Sequence, residues 1–258
     1  MAATHAAPHA LALKRVSMDR PWSWLAAGWR DLWRAPALSL GYGAAFVLIG
    51  LATTLGLWRL GLGAWVPIAV GAFAFVGPIF AVGLYEISRV LNEGGDLSIR
   101  AVIHPKADPG QLAMLGFALA LIYMVWVRAA QVIVAFFIQG DYVPMAEVLP
   151  FLLTTPDGLA LLAVGSVVGF VLALAAFAIS AVSAPILMRR EVDVATAVLA
   201  SLRAVREQPG VMLLWAWIVA VVFLAGAAAG LVGLVVAFPL LGHATWHAYR
   251  DLVTPLER

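Results

Sequence analysis

Four side chains in this sequence have types and positions that could support chemistry. Arg128 is the one charged residue in an otherwise uncharged apolar stretch, residues 109–138. His243 and His247 are four residues apart, so they share one face if the segment is helical. Glu86 is a third candidate metal ligand. These residues are where a functional site is sought first.

Arg128 predicts a functional or paired site within a membrane. A charge at the centre of a membrane helix costs at least roughly 2.5 kcal/mol, so it usually has a partner or a task. Three interpretations are open: a substrate or anion site, a contact with a partner protein, or a structural arginine. In the last case Arg128 extends to the outer surface or pairs with an acidic residue of the following segment (Asp141, Glu147 or Asp157).

The histidines are candidates for a metal site only if a third ligand joins them. Glu86 is the best candidate for this third ligand, because the segments around residues 86 and 247 align as sequence repeats in which Glu86 corresponds to His247. No glutamate follows His243 as a metalloprotease helix requires. Beside Trp246 and Tyr249, the histidines are more typical of anchors at a membrane surface. We therefore predict no metal and no cofactor.

Composition indicates the elements that must position these residues. Hydrophobic residues make up 64% and charged residues 12%, against roughly 45–50% and 25% in soluble domains. Crossing a membrane takes about 20 apolar residues in a helix. The sequence predicts an all-α bundle of about six membrane spans, within residues 35–58, 60–85, 109–138, 158–188 and 208–249, the last of which is long enough to turn back at residues 226–230.

The positions of lysine and arginine predict the orientation of these spans, because basic residues favour the cytoplasmic side. If six spans exist, one side holds only Arg59, and the other side holds fourteen basic residues: Lys14, Arg15, Arg20, Arg30, Arg34, Arg89, Arg100, Lys106, Arg189, Arg190, Arg203, Arg206, Arg250 and Arg258. Both termini are then cytoplasmic. Residues 1–20 are interpreted as a disordered tail and residues 21–258 as one membrane domain. The basic residues form no single stripe, so nucleic acid is not predicted as a partner.

The chain also contains a pattern that could be a threefold repeat, in units of about 21–90, 97–190 and 193–251. Each unit would be an amphipathic helix at the membrane surface followed by a hairpin of two spans. A proline opens the first span of each unit. The hairpin ends of the first and third units align at a constant offset of 161 residues, which pairs Pro78, Tyr85, Glu86 and Arg89 with Pro239, Trp246, His247 and Arg250. Tryptophans at 22, 24, 29 and 33 suit a helix at the membrane surface.

Four pieces of the sequence resemble a family of uncharacterised bacterial integral membrane proteins, called domain of unknown function 2189. These pieces are residues 21–32, 154–158, 201–205 and 238–250. The resemblance implies a protein of the bacterial inner membrane and brings no activity. Some members of the family are labelled as similar to cytochrome c oxidase subunit I, but this chain has only two histidines in its predicted spans, too few for a haem–copper core.

The sequence contains no cysteine, phosphate-binding loop or nucleophile elbow. We therefore expect a non-enzymatic accessory, assembly or scaffold factor that binds membrane lipids and another membrane protein or a respiratory complex. One alternative is a small-molecule or ion transporter or channel with Arg128 near its pathway. The other is an intramembrane metal or haem protein that uses His243 and His247.

Overall fold

The protein is all-helical in the residues that the computed structural model describes, which are 11–95, 97–105, 107–138, 145–189, 191–229 and 231–253. One isolated antiparallel bridge joins Leu13 to Val253. The helices, in chain order, are α1 Arg20–Arg34, α2 Pro36–Arg59, α3 Val66–Phe80, α4 Val82–Glu93, α5 Ile99–Ile103, α6 Pro109–Phe137, α7 Met145–Thr154, α8 Pro156–Ser180, α9 Ser183–Arg189, α10 Val194–Glu207, α11 Pro209–Ala228 and α12 Leu234–Leu252.

Proline begins the long apolar helices α2, α6, α8 and α11. Its fixed φ suits the first turn, where its missing N–H would have no helical partner. Capping side chains support two of these starts: the Asp108 carboxylate accepts from Gly110 N at 2.8 Å, and the Thr155 hydroxyl accepts from Gly158 N at 3.0 Å. The local sequence therefore fixes where these helices begin.

Four helical segments of the described chain are long and apolar enough to cross a membrane. They are Pro36–Arg59, Pro109–Phe137, Pro156–Arg189 and Pro209–Ala228. They correspond to the first, third, fourth and fifth predicted spans.

The other two predicted spans differ from single apolar helices. The second is divided at Ala81 into α3, which has 15 residues, and α4, whose last turns are polar. The sixth, α12, has 19 residues and carries its histidines, Arg250 and Asp251 in its second half. The six-span arrangement is taken up again below as a proposal.

The amphipathic helix α1 packs along α12 at very short range. A Cβ built on Gly28 would lie 2.6 Å from Ala244 N and 2.9 Å from Leu240 O, so only glycine permits this approach. Trp24 is buried edge-to-face against Trp215 of α11, with ring centroids 5.6 Å apart. One main cluster of buried apolar residues includes side chains from helices as far apart in the chain as α1 and α12.

The segment before α1 differs from the disordered tail predicted for residues 1–20. Residues 1–10 lie outside the described part, but the following residues are held against the protein at a few positions, and α1 already begins at Arg20. Leu11 is buried, Lys14 N donates to Leu252 O at 2.9 Å, and the Gln208 side chain bonds both Val16 N and Lys14 O. Backbone groups of Lys14 and Val16 are therefore bonded by residues far along the chain, which the composition of this segment does not reveal.

The predicted surface helices differ in part from the helices observed. In α1 three tryptophans are exposed, but Trp24 is not: its indole N–H donates to Asp251 Oδ2 at 2.6 Å. The middle unit has only the five-residue α5. Between α6 and α8, where a loop was predicted, the chain forms α7. Asp141, in residues 139–144, lies outside the described residues.

Candidate functional site

The most concentrated polar cluster that the structure describes surrounds Asp31, on the buried side of α1. Asp31 is 2% exposed. Its Oδ2 accepts hydrogen bonds from Ser88 Oγ at 2.9 Å, from Asn92 Nδ2 at 3.0 Å and from His247 Nε2 at 2.8 Å. A buried carboxylate is tolerated only when such donors replace the water that it loses. The donors come from α4 and α12, so Asp31 links α1 to both of these helices by hydrogen bonds.

A second line of hydrogen bonds continues from Ser88 through His243 to α2. Ser88 Oγ lies 2.8 Å from His243 Nδ1, and Ser39 Oγ lies 2.9 Å from His243 Nε2. Because the Ser88 hydroxyl donates its proton to Asp31, the contact with His243 requires a proton on Nδ1. Nε2 then accepts from the Ser39 hydroxyl. We call these six residues (Asp31, Ser39, Ser88, Asn92, His243 and His247) the polar network.

The pKa of Asp31 reflects these contacts. Burial alone would raise the pKa of the Asp31 carboxyl. The hydrogen bond from His247 and the charge of that ring, with the hydrogen bonds from Ser88 and Asn92, act in the opposite direction and are stronger together. The pKa of Asp31 therefore lies below its ordinary value of 3.8, and the carboxylate is ionised at neutral pH.

The order serine, histidine, serine, aspartate resembles the relay of a hydrolase, in which a histidine activates a hydroxyl. Ser39, Ser88 and His243 are each 0% exposed, however, and every hydroxyl and ring nitrogen in the relay already has a partner within the polar network. A substrate could not reach the Ser39 oxygen without separating α2 from α12. The arrangement favours a structural lock over catalysis.

The structure does not bring the predicted metal candidates together as a ligand set. Both Glu86 oxygens accept from Arg89, at 2.7 and 2.6 Å. His243 is held between two serines, and Nε2 of His247 bonds Asp31. Among the described residues, no group of three or more histidine, cysteine, aspartate or glutamate side chains could hold a metal ion.

Arg128 is exposed on α6. Its guanidinium donates to Gln131 Oε1 at 3.0 Å, one turn along the same helix, and it forms no ion pair with a residue that the structure describes. The buried residues of α6 are Leu115 and Leu119, both in the first half of the helix. Arg128 and Gln131 therefore project from a part of the helix that packs no side chain into the protein core.

Two cavities in the described part of the protein differ in the chemistry of their linings. The first, about 30 Å³, is lined by apolar residues of α2, α3, α11 and α12 and of the connection before α12. The second, about 350 Å³, is a polar cleft between α1 and α12. Arg128 lines neither of them.

Sequence patterns identified part of this site. The spacing of His243 and His247 predicted one shared helix face, and both do join the polar network. Asp31 had no such signal, because it stands between arginine and leucine in the tryptophan-rich helix α1. Ser39 and Ser88 had no signal at all, since isolated serines are common in membrane helices. Only the fold brings these distant positions together.

The fold and composition define an all-helical integral membrane protein. The sequence model of the family DUF2189, described as a predicted integral membrane protein, matches residues 65–189. This match confirms the resemblance to that family over residues 65–189. The match is narrower than the resemblance suggested, because of the four pieces quoted above only residues 154–158 lie within it. No curated protein and no solved structure matches the chain.

Proposed function

We propose that this protein spans the inner membrane of a bacterium six times, as three hairpins in repeated units, with both termini in the cytoplasm. The helix order supports the repeat: α1 precedes α2 and α3–α4, α5 precedes α6 and α8–α9, and α10 precedes α11 and α12. An even number of spans places the two ends of the chain on the same side. The contact between Leu13 and Val253 is consistent with that placement.

Contacts between the basic segments support the orientation. Arg189 of α9 pairs with Glu93 of α4 at 3.0 Å, and Arg20 of α1 pairs with Asp251 of α12. Arg189 therefore lies beside the end of α4, and Arg20 lies beside the end of α12, which also carries Arg250. We assign these helix ends to one end of the bundle. The positive-inside rule makes that end cytoplasmic.

In this membrane the protein acts without catalysis, as an accessory, assembly or scaffold factor that binds another membrane protein, with a respiratory complex as one possible class of partner. The observation that carries this proposal is the exposed pair Arg128 and Gln131 on the unburied half of α6. A guanidinium facing lipid is costly, and a partner that supplies a carboxylate or carbonyl groups would remove that cost. The pair is then one half of a contact between membrane helices.

The alternative of a transporter requires Arg128 to face a water-filled cavity near the middle of the membrane. The two cavities described above do not include this residue, so the exposed position of Arg128 supports partner binding better. The alternative of a metal or haem protein has less support, because His243 and His247 are committed to the polar network.

Affinity purification in mild detergent tests the proposal. Wild-type protein is expected to retain a membrane protein in stoichiometric amount, and Arg128→Ala to lose it while remaining folded. Arg59→Ala is the matched control, since it removes the one basic residue assigned to the outer side and should keep the partner. Repeated recovery of the wild type alone, or retention of the partner by Arg128→Ala, would contradict the proposal.

A further inference from the structure

The polar cleft between α1 and α12 has the chemistry of an anion site. It measures about 350 Å³, within the range of roughly 300–1,000 Å³ typical of small-molecule sites. Its lining combines three arginines and a histidine with one carboxylate and three further residues: Arg20, Arg30, Arg250, His247, Asp251, Ser23, Trp24 and Ala27. Both helices contribute, and the close packing at Gly28 holds them together beside the cleft.

The positive charge of the cleft is only partly neutralised from within. Asp251 accepts from both Arg20 Nε, at 2.8 Å, and the Trp24 indole, at 2.6 Å, so its charge is already shared. Arg30 and Arg250 are exposed and form no ion pair with any residue in the described ranges. Two guanidinium groups therefore remain available at the cleft to a ligand with several acceptor oxygens, which phosphate provides.

The outer face of α1 indicates that this ligand comes from the membrane. Trp22, Trp29 and Trp33 are 52%, 46% and 53% exposed and, at spacings of seven and four residues, lie on one side of the helix. Tryptophan favours the level of the lipid headgroups, where its ring contacts acyl chains and its N–H remains in water. Because α1 ends at Arg34 and α2 begins at Pro36, α1 cannot lie far from the membrane surface.

We propose that the cleft between α1 and α12 binds the phosphate of an anionic phospholipid headgroup, with Arg30 and Arg250 as its principal ligands. The lipid tails would extend along the tryptophan face of α1. Basic pockets beside cytoplasmic helix ends are known to hold such headgroups. The inference rests on the proposed function for the placement of α1 at the cytoplasmic membrane surface.

Native mass spectrometry of the detergent-purified protein tests the inference, with phosphatidylglycerol as the anionic probe and phosphatidylcholine as the zwitterionic one. The wild type should retain phosphatidylglycerol in preference. The double variant R30Q/R250Q should bind it about a hundredfold more weakly, since each of the two lost charge-assisted hydrogen bonds contributes about one decade in affinity. The control R100Q/R206Q removes the same charge from exposed positions outside the cleft and should bind as the wild type does.

A second pair of variants tests the cleft without removing its arginines, in case the double variant does not fold. Ser23→Glu places a carboxylate at the cleft from an exposed position and should also weaken phosphatidylglycerol binding, whereas Ser23→Gln of similar size should not. Equal binding by R30Q/R250Q and the wild type would overturn the proposal. So would competition by inorganic phosphate at the concentrations at which the lipid binds, because the site would then take free phosphate. The partner purification uses another surface, so the two proposals can fail separately.

Discussion

Asp31 has a greater effect on the structure than its single charge suggests. Its carboxylate loses nearly all its water on folding, a cost of several kcal/mol that only good donors offset. Three donors from α4 and α12 bond to one of its oxygens. Ser88 also bonds to His243, which in turn bonds to Ser39 of α2. The apolar core supplies cohesion, and this residue specifies which helix faces must meet.

The lowered pKa of Asp31 predicts a pH dependence of stability. Because the folded-state pKa lies below 3.8, the stabilisation is complete above that pH, where the carboxylate is ionised in both states. As the pH falls through 3.8 towards the folded-state pKa, the unfolded chain binds a proton first and the stabilisation is lost. Asp31→Asn should lower stability by about 2 kcal/mol at neutral pH and should reduce the loss in acid.

Thermal unfolding in detergent from about pH 6 to about pH 3 checks this prediction. Glu147→Gln, which removes an exposed carboxylate of α7, should follow the wild-type curve. If Asp31→Asn also followed it at every pH, the polar network would contribute nothing to folding.

At the scale of helices, the contact between α1 and α12 determines the position of the polar network. Substituting Gly28 by alanine would place a Cβ 2.6 Å from a backbone nitrogen of α12, which cannot rotate away as a side chain can. The two helices would have to separate and stretch the hydrogen bond between Asp31 and His247. This glycine therefore permits both the packing and the polar contacts.

Gly28→Ala is expected to destabilise the protein by about 1–3 kcal/mol, the usual cost of overpacking. Gly41→Ala is the matched control, since nothing lies within 4 Å of its added Cβ, and it should gain up to about 1 kcal/mol from helix propensity. Chemical unfolding of both variants in the same detergent measures the difference. Equal stability of the two variants would show that the close approach of α1 and α12 is not needed.

Helix positions were more predictable than helix continuity. Pro36, Pro109 and Pro209 each mark a helix start that local sequence alone determines. The burial of Trp24 was not predictable, because it depends on a neighbour far along the chain. Asp251 is the partner of Trp24, yet it lies 227 residues away.

At the scale of the whole molecule, the proposed topology depends on how many of the apolar segments cross the membrane. Length and composition identify four, and the proposed topology requires α3–α4 and α12 as well. The sequence predicted six because uncharged stretches were counted without regard to where the helices break. The polar second half of α12 is buried by α1 and α4 within the protein, so hydropathy alone underestimates its fit to a membrane-embedded bundle.

Cysteine labelling can count the crossings directly, since the sequence has no cysteine of its own. Glu147→Cys and Glu191→Cys flank the candidate span Pro156–Arg189, and Val232→Cys lies between α11 and α12. In spheroplasts with an intact inner membrane, an impermeant maleimide should label positions 147 and 232, and position 191 only after permeabilisation. Labelling of 147 and 191 from the same side would refute the orientation, and protection of 232 would refute the sixth span.

The placement of both network histidines on the last helix has a consequence for biosynthesis. A ribosome makes α12 after the other described helices, so the carboxylate of α1 has no histidine donor until residue 247 has been added. Until then α1 lacks the surface against which Gly28 and Trp24 pack. Helix α1 therefore packs late although it is made early. In a chain that stops short of residue 243, α1 would lack its partner helix and would be accessible to proteases.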